Sequence, residues 1–298
     1  MSKAPVRTAL GERNLLFRAT DLARGDFSLE LRPSDADWIY SGLRIARLAP
    51  GQSVRVPTDD VETGVLSISG SAEVVVDGQH IELQGRASPF SGPSDFVYVP
   101  VGAKAHVRSD DGAELALMNA LADRRLPVAY IAAEHVMVTS RGAGNCARLV
   151  RSFCVPELLD AQRLLAVEIV TPGGNWSSYP PHKHDEESAH EVPLEEIYYF
   201  RTAGPPAFAL HTVYRRHPAG ALDASVSMVE DGDLVVVPDS YHGPTVAGPG
   251  YDLYYLNVLA GPSRRALAVC DDPSHAWIRD RWSGEAAVQE PAAEGGTS

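Results

Sequence analysis

Tyr179-Pro180-Pro181-His182-Lys183-His184 is the stretch on which the reading of this chain turns. Successive side chains of an extended strand point to opposite faces, so two histidines one residue apart turn to the same side and can reach one ion. The stretch follows the turn Thr171-Pro172-Gly173-Gly174 and runs into an acidic loop, Asp185 to Glu187. Beyond the loop, Glu195-Glu196 open the apolar strand Ile197-Tyr198-Tyr199-Phe200, and His242 follows Pro238 by four residues. Imidazoles and a carboxylate suit one first-row divalent metal, with Mn, Fe, Co, Ni and Zn all acceptable to such a set. Three histidines and one carboxylate leave positions open on the ion, as a catalytic site requires. Alternation puts Tyr198 and Phe200 with Glu196, and Ile197 and Tyr199 with Glu195; phasing alone admits either glutamate as the ligand.

Outward from this stretch, the pattern is of short strands. Phe27 to Leu31, Leu43 to Leu48, Ser53 to Val56, Gly64 to Ser69, Ala72 to Val76, His80 to Leu83 and Phe96 to Val99 are separated by Gly and Pro turns. Asp77-Gly78 supplies the positive φ angles of a tight hairpin. Such spacing predicts an all-β sandwich or barrel rather than alternating βαβ units. The pattern also repeats. Arg44 to Gly51 ends in Ala-Pro-Gly and Leu164 to Gly174 in Thr-Pro-Gly-Gly; Asp95 to Pro100 matches Asp233 to Pro238, each followed at short range by a histidine, His106 or His242. An internal duplication of one barrel follows. The expected division is a metal-free barrel over residues 1–125, a metal-bearing barrel over 126–285 and a disordered tail over 286–298. In the first half, Val56 to Glu62 holds no histidine, and Asp59, Asp60 and Glu62 read as a solvated acidic turn. His80, His106, His135, His190, His211, His217 and His275 read as surface or satisfied core residues. Asp272 to Trp282 reads as a short capping helix.

Composition narrows the class. With 298 residues and 44% hydrophobic content the chain can bury a substantial core. Its net charge of −13 argues against a nucleic-acid partner, which needs a basic face. No apolar run is long enough to span a bilayer, and no secretory signal is visible. Cys146, Cys154 and Cys270 are odd in number and without CxxC spacing, so reduced thiols in a cytoplasmic protein are expected. Exposed barrel edges are compatible with a homo-oligomer.

The His-x-His pair, the glutamate before an Ile-Tyr-Tyr strand and the later histidine resemble the cupin superfamily. Ser178 to Asp185, Leu194 to Tyr199, Glu230 to Asp233, Gly250 to Val258, Ala260 to Pro262 and Arg141 to Cys146 more specifically resemble the 5-deoxy-glucuronate isomerases of inositol catabolism, over roughly residues 5–282. The resemblance implies two tandem cupin (double-stranded β-helix, or jelly-roll) barrels, a bicupin, with His182, His184, Glu196 and His242 as metal ligands. It implies an aldose–ketose isomerase that turns 5-deoxy-D-glucuronate into 5-dehydro-2-deoxy-D-gluconate. A related bicupin family isomerises a deoxy-hexosulose uronate with the same ligands. Moving the carbonyl requires an acid–base group, for which Tyr179, Tyr198, Tyr254 and Lys183 are candidates, although alternation turns Lys183 away from the ion. A uronate substrate calls for a guanidinium; Arg201, Arg148 and Arg151 are candidates. The competing readings are a cupin dioxygenase and a non-catalytic sugar-binding bicupin.

Overall fold

The computed structural model describes residues 9–204, 206–216 and 220–282, and is built almost wholly of antiparallel strands. The expected tail over 286–298 and His217 lie outside the described residues. Among the described residues no helix is long and apolar enough to cross a membrane. The one α-helix among the described residues is the short turn Ile278–Arg281, less than the expected cap.

The first half is organised on strand Val61–Val76, predicted as two strands but continuous over 16 residues. Its early part pairs with Phe96–Val99 and Ala113–Leu121, and its later part with Gln79–Arg86 and Ala105–Arg108. Asp77 (φ 51°) and Gly78 (φ 87°) form the anticipated hairpin turn. The second half sets Leu165–Thr171, Leu253–Ala260, Glu195–Thr202 and Leu234–Val237 side by side in one sheet. A further sheet carries Ala209–Arg216, Tyr241–Ala247 and His182–Lys183.

Burial explains the layering. Val54, Val56, Val65, Val74, Val97, Val99 and Leu117 fill the interior of the first barrel with aliphatic side chains. Val150, Val167, Ile169, Phe200 and Val235 line that of the second, together with Tyr198 and Tyr255. Between the barrels lies a third cluster drawn from both, including Leu43, Leu66, Phe96, Met118, Phe153, Leu164, Ile197, Tyr199, Tyr254 and Val258. The strands that form this middle layer are therefore buried on both faces and lose the polar–apolar alternation of a half-exposed sheet.

The strands do not divide cleanly at residue 125. Leu16–Phe17 pairs with Leu234–Val237 of the second half, and Ala129–Ile131 pairs with Phe96–Val99 of the first. Polar ties reinforce this exchange. Glu62, expected in a solvated turn, is fully buried. Its carboxylate accepts from the backbone N–H groups of Gln162, Arg163 and Leu164 at 2.7, 2.6 and 2.6 Å, and from the Tyr98 hydroxyl at 2.6 Å. Glu195 does the converse, accepting from the N–H groups of Ile39, Tyr40 and Ser41 at 2.8, 2.7 and 2.8 Å. The two are related by the repeat: Val99 lies opposite Thr63 as Val237 lies opposite Glu196, so Glu62 and Glu195 occupy matching positions. Each half thus caps, with a carboxylate, three backbone amides at the start of a strand of the other.

Candidate metal centre and substrate cavity

Strand parity decides which glutamate enters the second barrel. With Glu195 committed to the first half's amides, Glu196 turns inward with Tyr198 and Phe200. His182 and His242 lie directly across from each other on paired strands, their rings 4.4 Å apart, and the rings of His184 and His242 are 5.0 Å apart. Glu196 Oε2 lies 2.8 Å from His184 Nε2 and 3.0 Å from His242 Nε2. His184, Glu196 and His242 bring their ligand atoms within 4.8 Å of one another; His182 stands just outside this trio. Gly243, immediately after His242, has φ 90°, and a Cβ there would come within 1.9 Å of the Ser178 carbonyl oxygen. Glycine is what allows the two segments to approach so closely.

These residues fit a cation. Nδ1 of His184 lies 3.0 Å from the Leu194 carbonyl and Nδ1 of His182 lies 3.0 Å from the Pro180 carbonyl. With a cation bound, donation by each Nδ1–H would leave Nε2 as the bare, lone-pair nitrogen in both rings, as metal-ligating imidazoles require. His242 is fully buried and neither of its ring nitrogens has a well-aligned hydrogen-bond partner among the described residues. Burial would raise the Glu196 carboxyl, but His242 and His184 outweigh it and hold it well below the usual carboxylate range. Burial lowers both His182 and His242, favouring the neutral, ligating form.

A cavity of about 150 Å³ opens against this cluster, lined by His182, His184, Glu196, Tyr198, Tyr255 and Asn257 among others. Ser178 Oγ lies 3.1 Å from the hydroxyl of Tyr198 and 3.1 Å from that of Tyr255. Burial raises both phenols above their ordinary pKa. Behind Tyr198, with ring centres 4.5 Å apart, is His211; its Nδ1 meets Thr245 Oγ1 at 2.8 Å, but its Nε2 has no hydrogen-bond partner among the described residues.

The other predicted site residues go elsewhere. Tyr254 turns its hydroxyl to Glu168 at 2.6 Å, in a buried group with Arg86 between the barrels. Lys183 Nζ contacts Asp185 at 2.5 Å and Glu191 at 2.9 Å, so it ties down the acidic loop. Tyr179 is half-buried beside Trp176 and His275 and is not among the residues lining the cavity. Arg201 pairs with Glu114 at 2.6 Å and Asp231 at 2.8 Å, on the parity of Glu195 rather than Glu196. Arg151 is fully buried and donates to the carbonyls of Pro89 and Gly92. Arg148, in contrast, lines the cavity, with Arg141 and Arg279. Tyr255 and Asn257 escaped the sequence reading; the lone asparagine in the apolar run Leu253–Ala260 was the available signal, since Tyr255 shares its parity and Tyr254 does not.

Comparison with known proteins agrees with this architecture. A family model, the KduI/IolB family, matches residues 15–278. A 5-deoxy-glucuronate isomerase of Geobacillus kaustophilus is 38% identical over 255 residues, covering 85% of this chain and 90% of its own. The crystal structure of an IolB-like protein from Salmonella typhimurium LT2 superposes with a TM-score of 0.83 at 35% identity, covering 90% of this chain and all of the other. Bacillus subtilis oxalate decarboxylase, a protein with Mn(II) centres, superposes with a TM-score of 0.62 at 12% identity over 87% of this chain and 79% of its own, a likeness of fold alone. On these matches, and on the paired barrels already described, the chain is a bicupin and belongs to the KduI/IolB family.

Proposed function

We propose that this chain is a metal-dependent aldose–ketose isomerase that converts 5-deoxy-D-glucuronate into 5-dehydro-2-deoxy-D-gluconate in inositol catabolism. The observation that carries the reading is the convergence of His184, Glu196 and His242 beside a cavity that also holds the guanidinium of Arg148. His182, its ring 4.4 Å from that of His242, would complete a set of three imidazoles and one carboxylate. A divalent transition ion held there supplies Lewis-acid polarisation of a sugar carbonyl. The chain's own groups do the rest. Tyr198 and Tyr255 stay protonated because burial raises their pKa, so they donate hydrogen bonds to oxygen atoms on which enediolate charge develops. They are therefore poor candidates for removing the carbon-bound proton, and Lys183 and Tyr254 are engaged elsewhere. Arg148 provides the positive charge a uronate needs. The first barrel, packed with aliphatic side chains, serves as scaffold. The free thiols Cys146, Cys154 and Cys270 suit a cytoplasmic enzyme.

The test is anaerobic incubation of the purified protein with 5-deoxy-D-glucuronate, followed by NMR, with and without chelator. Ketose formation without oxygen, lost on chelation and restored by a divalent ion, is expected. Turnover that needs oxygen points to a dioxygenase, and undiminished turnover by metal-stripped protein removes the metal from the chemistry.

A further inference from the structure

We infer that the segment Cys270–Trp282 is a wall of the substrate site, in which Arg279 and Trp282 act with Arg148 to recognise a carboxylate and so select acidic over neutral sugars. This rests on the isomerase reading and adds to it the device that discriminates among substrates.

Three observations converge. First, Arg148 is 8% exposed, and its hydrogen bonds run to the carbonyl oxygens of Cys146 and Tyr179, both at 3.1 Å, with no carboxylate among its partners in the described residues. A guanidinium stays protonated in a protein, and a buried charge without a counter-charge is costly. An anion arriving from the cavity would supply the missing charge. Second, Arg279 lines the same cavity from the C-terminal segment. Its Nε and Nη2 donate to Asp271 at 2.5 and 2.8 Å, which fixes the plane of the guanidinium, and no hydrogen bond engages Nη1 among the described residues. The Trp282 ring lies 5.8 Å from Cζ of Arg148, so the segment also covers that side chain. Third, the segment is held firmly. Asp271 pairs across from His182 itself, and the Asp272 N–H donates to the Pro181 carbonyl at 2.8 Å. The Asp272 carboxylate accepts from the Tyr214 hydroxyl at 2.5 Å and Arg216 Nε at 2.9 Å. The guanidiniums are thus registered directly against the strand that carries a metal-site histidine. An elongated sugar acid with its carbonyl at the ion would meet them with its carboxylate.

The experiment compares 5-deoxy-D-glucuronate with 5-deoxy-D-glucose, its neutral counterpart, on the metal-loaded wild type and on Arg148→Met, Arg279→Met and Trp282→Leu. Loss of a charge-assisted hydrogen bond predicts a fall in kcat/KM of about 10- to 100-fold for the acid with Arg279→Met, mostly through KM. The neutral sugar should change by no more than about two-fold, because the lost contact is specific to the carboxylate. Trp282→Leu, which acts through Arg148, should show a smaller loss of the same selective kind. Because Arg148→Met is buried and its variant can misfold, the half-exposed Arg279 carries the decision. Calorimetry of D-glucuronate binding to chelator-treated protein gives a second readout, expected to weaken with Arg279→Met. Equal losses for both sugars, or none for the acid, overturn the inference. A wild type that binds the acid but never isomerises it overturns the isomerase reading instead.

Discussion

His211 lets the electrostatics of the second barrel be tested without touching a proposed ligand. Burial, with His242 adding to it, holds this imidazole at about 3, while an unfolded chain would titrate near 6.5. A depressed folded pKa means that the unfolded state takes up the proton first. The stability His211 contributes is therefore complete above about pH 6.5 and is lost as pH falls toward 3. At about pH 5 the gap is roughly 1.5 units, worth about 2 kcal/mol at ~1.4 kcal/mol per unit. The side chain is fully buried, so solvent screening does not reduce this figure. Urea unfolding of wild type and His211→Gln, both in chelator, at about pH 7 and about pH 5, isolates the effect. His182 and His242 also resist protonation, but they are common to both proteins and cancel in the comparison. Wild type should lose about 2 kcal/mol more than the variant between the two conditions. Equal losses would refute the claim that this imidazole is kept neutral by its surroundings.

Other outcomes follow from the same geometry. His184→Ala should lower metal affinity at least about 100-fold, measured by competition with a chromophoric chelator, while far-ultraviolet circular dichroism stays native. Glu62→Gln and Glu195→Gln each place an amide among three backbone donors; a loss of about 2–4 kcal/mol, or roughly 5–12 °C in melting temperature, is expected in scanning calorimetry. Lys183→Met and Arg201→Met should leave kcat/KM within about two-fold of wild type, since both cations are spent on carboxylates outside the cavity lining; a steady-state loss beyond about ten-fold would return either to the site.

What the chain discloses before folding depends on which strands keep one face wet. The fold class was legible because hairpin and turn chemistry at Asp77-Gly78 and Thr171 to Gly174 is local. His182 and His184 were legible because alternation is also local. Phasing could not choose between Glu195 and Glu196, because a strand buried on both faces carries no polar pattern to set its parity. The same blindness picked Tyr254 over Tyr255. Arg148 could be singled out by its chemistry, but Arg279 could not, since nothing local says that a C-terminal segment returns to the mouth of a barrel.

The paired glutamates Glu62 and Glu195 have a consequence for how such a duplicated protein can change. A fragment ending near residue 125 would expose the three amides at 39–41 and leave Glu62 without those at 162–164; the complementary fragment would suffer the mirror image. Loss of either copy would strip the other of these bonds, even though one has the donor cluster and the other an aliphatic filling. Thermal melting should accordingly show a single cooperative transition.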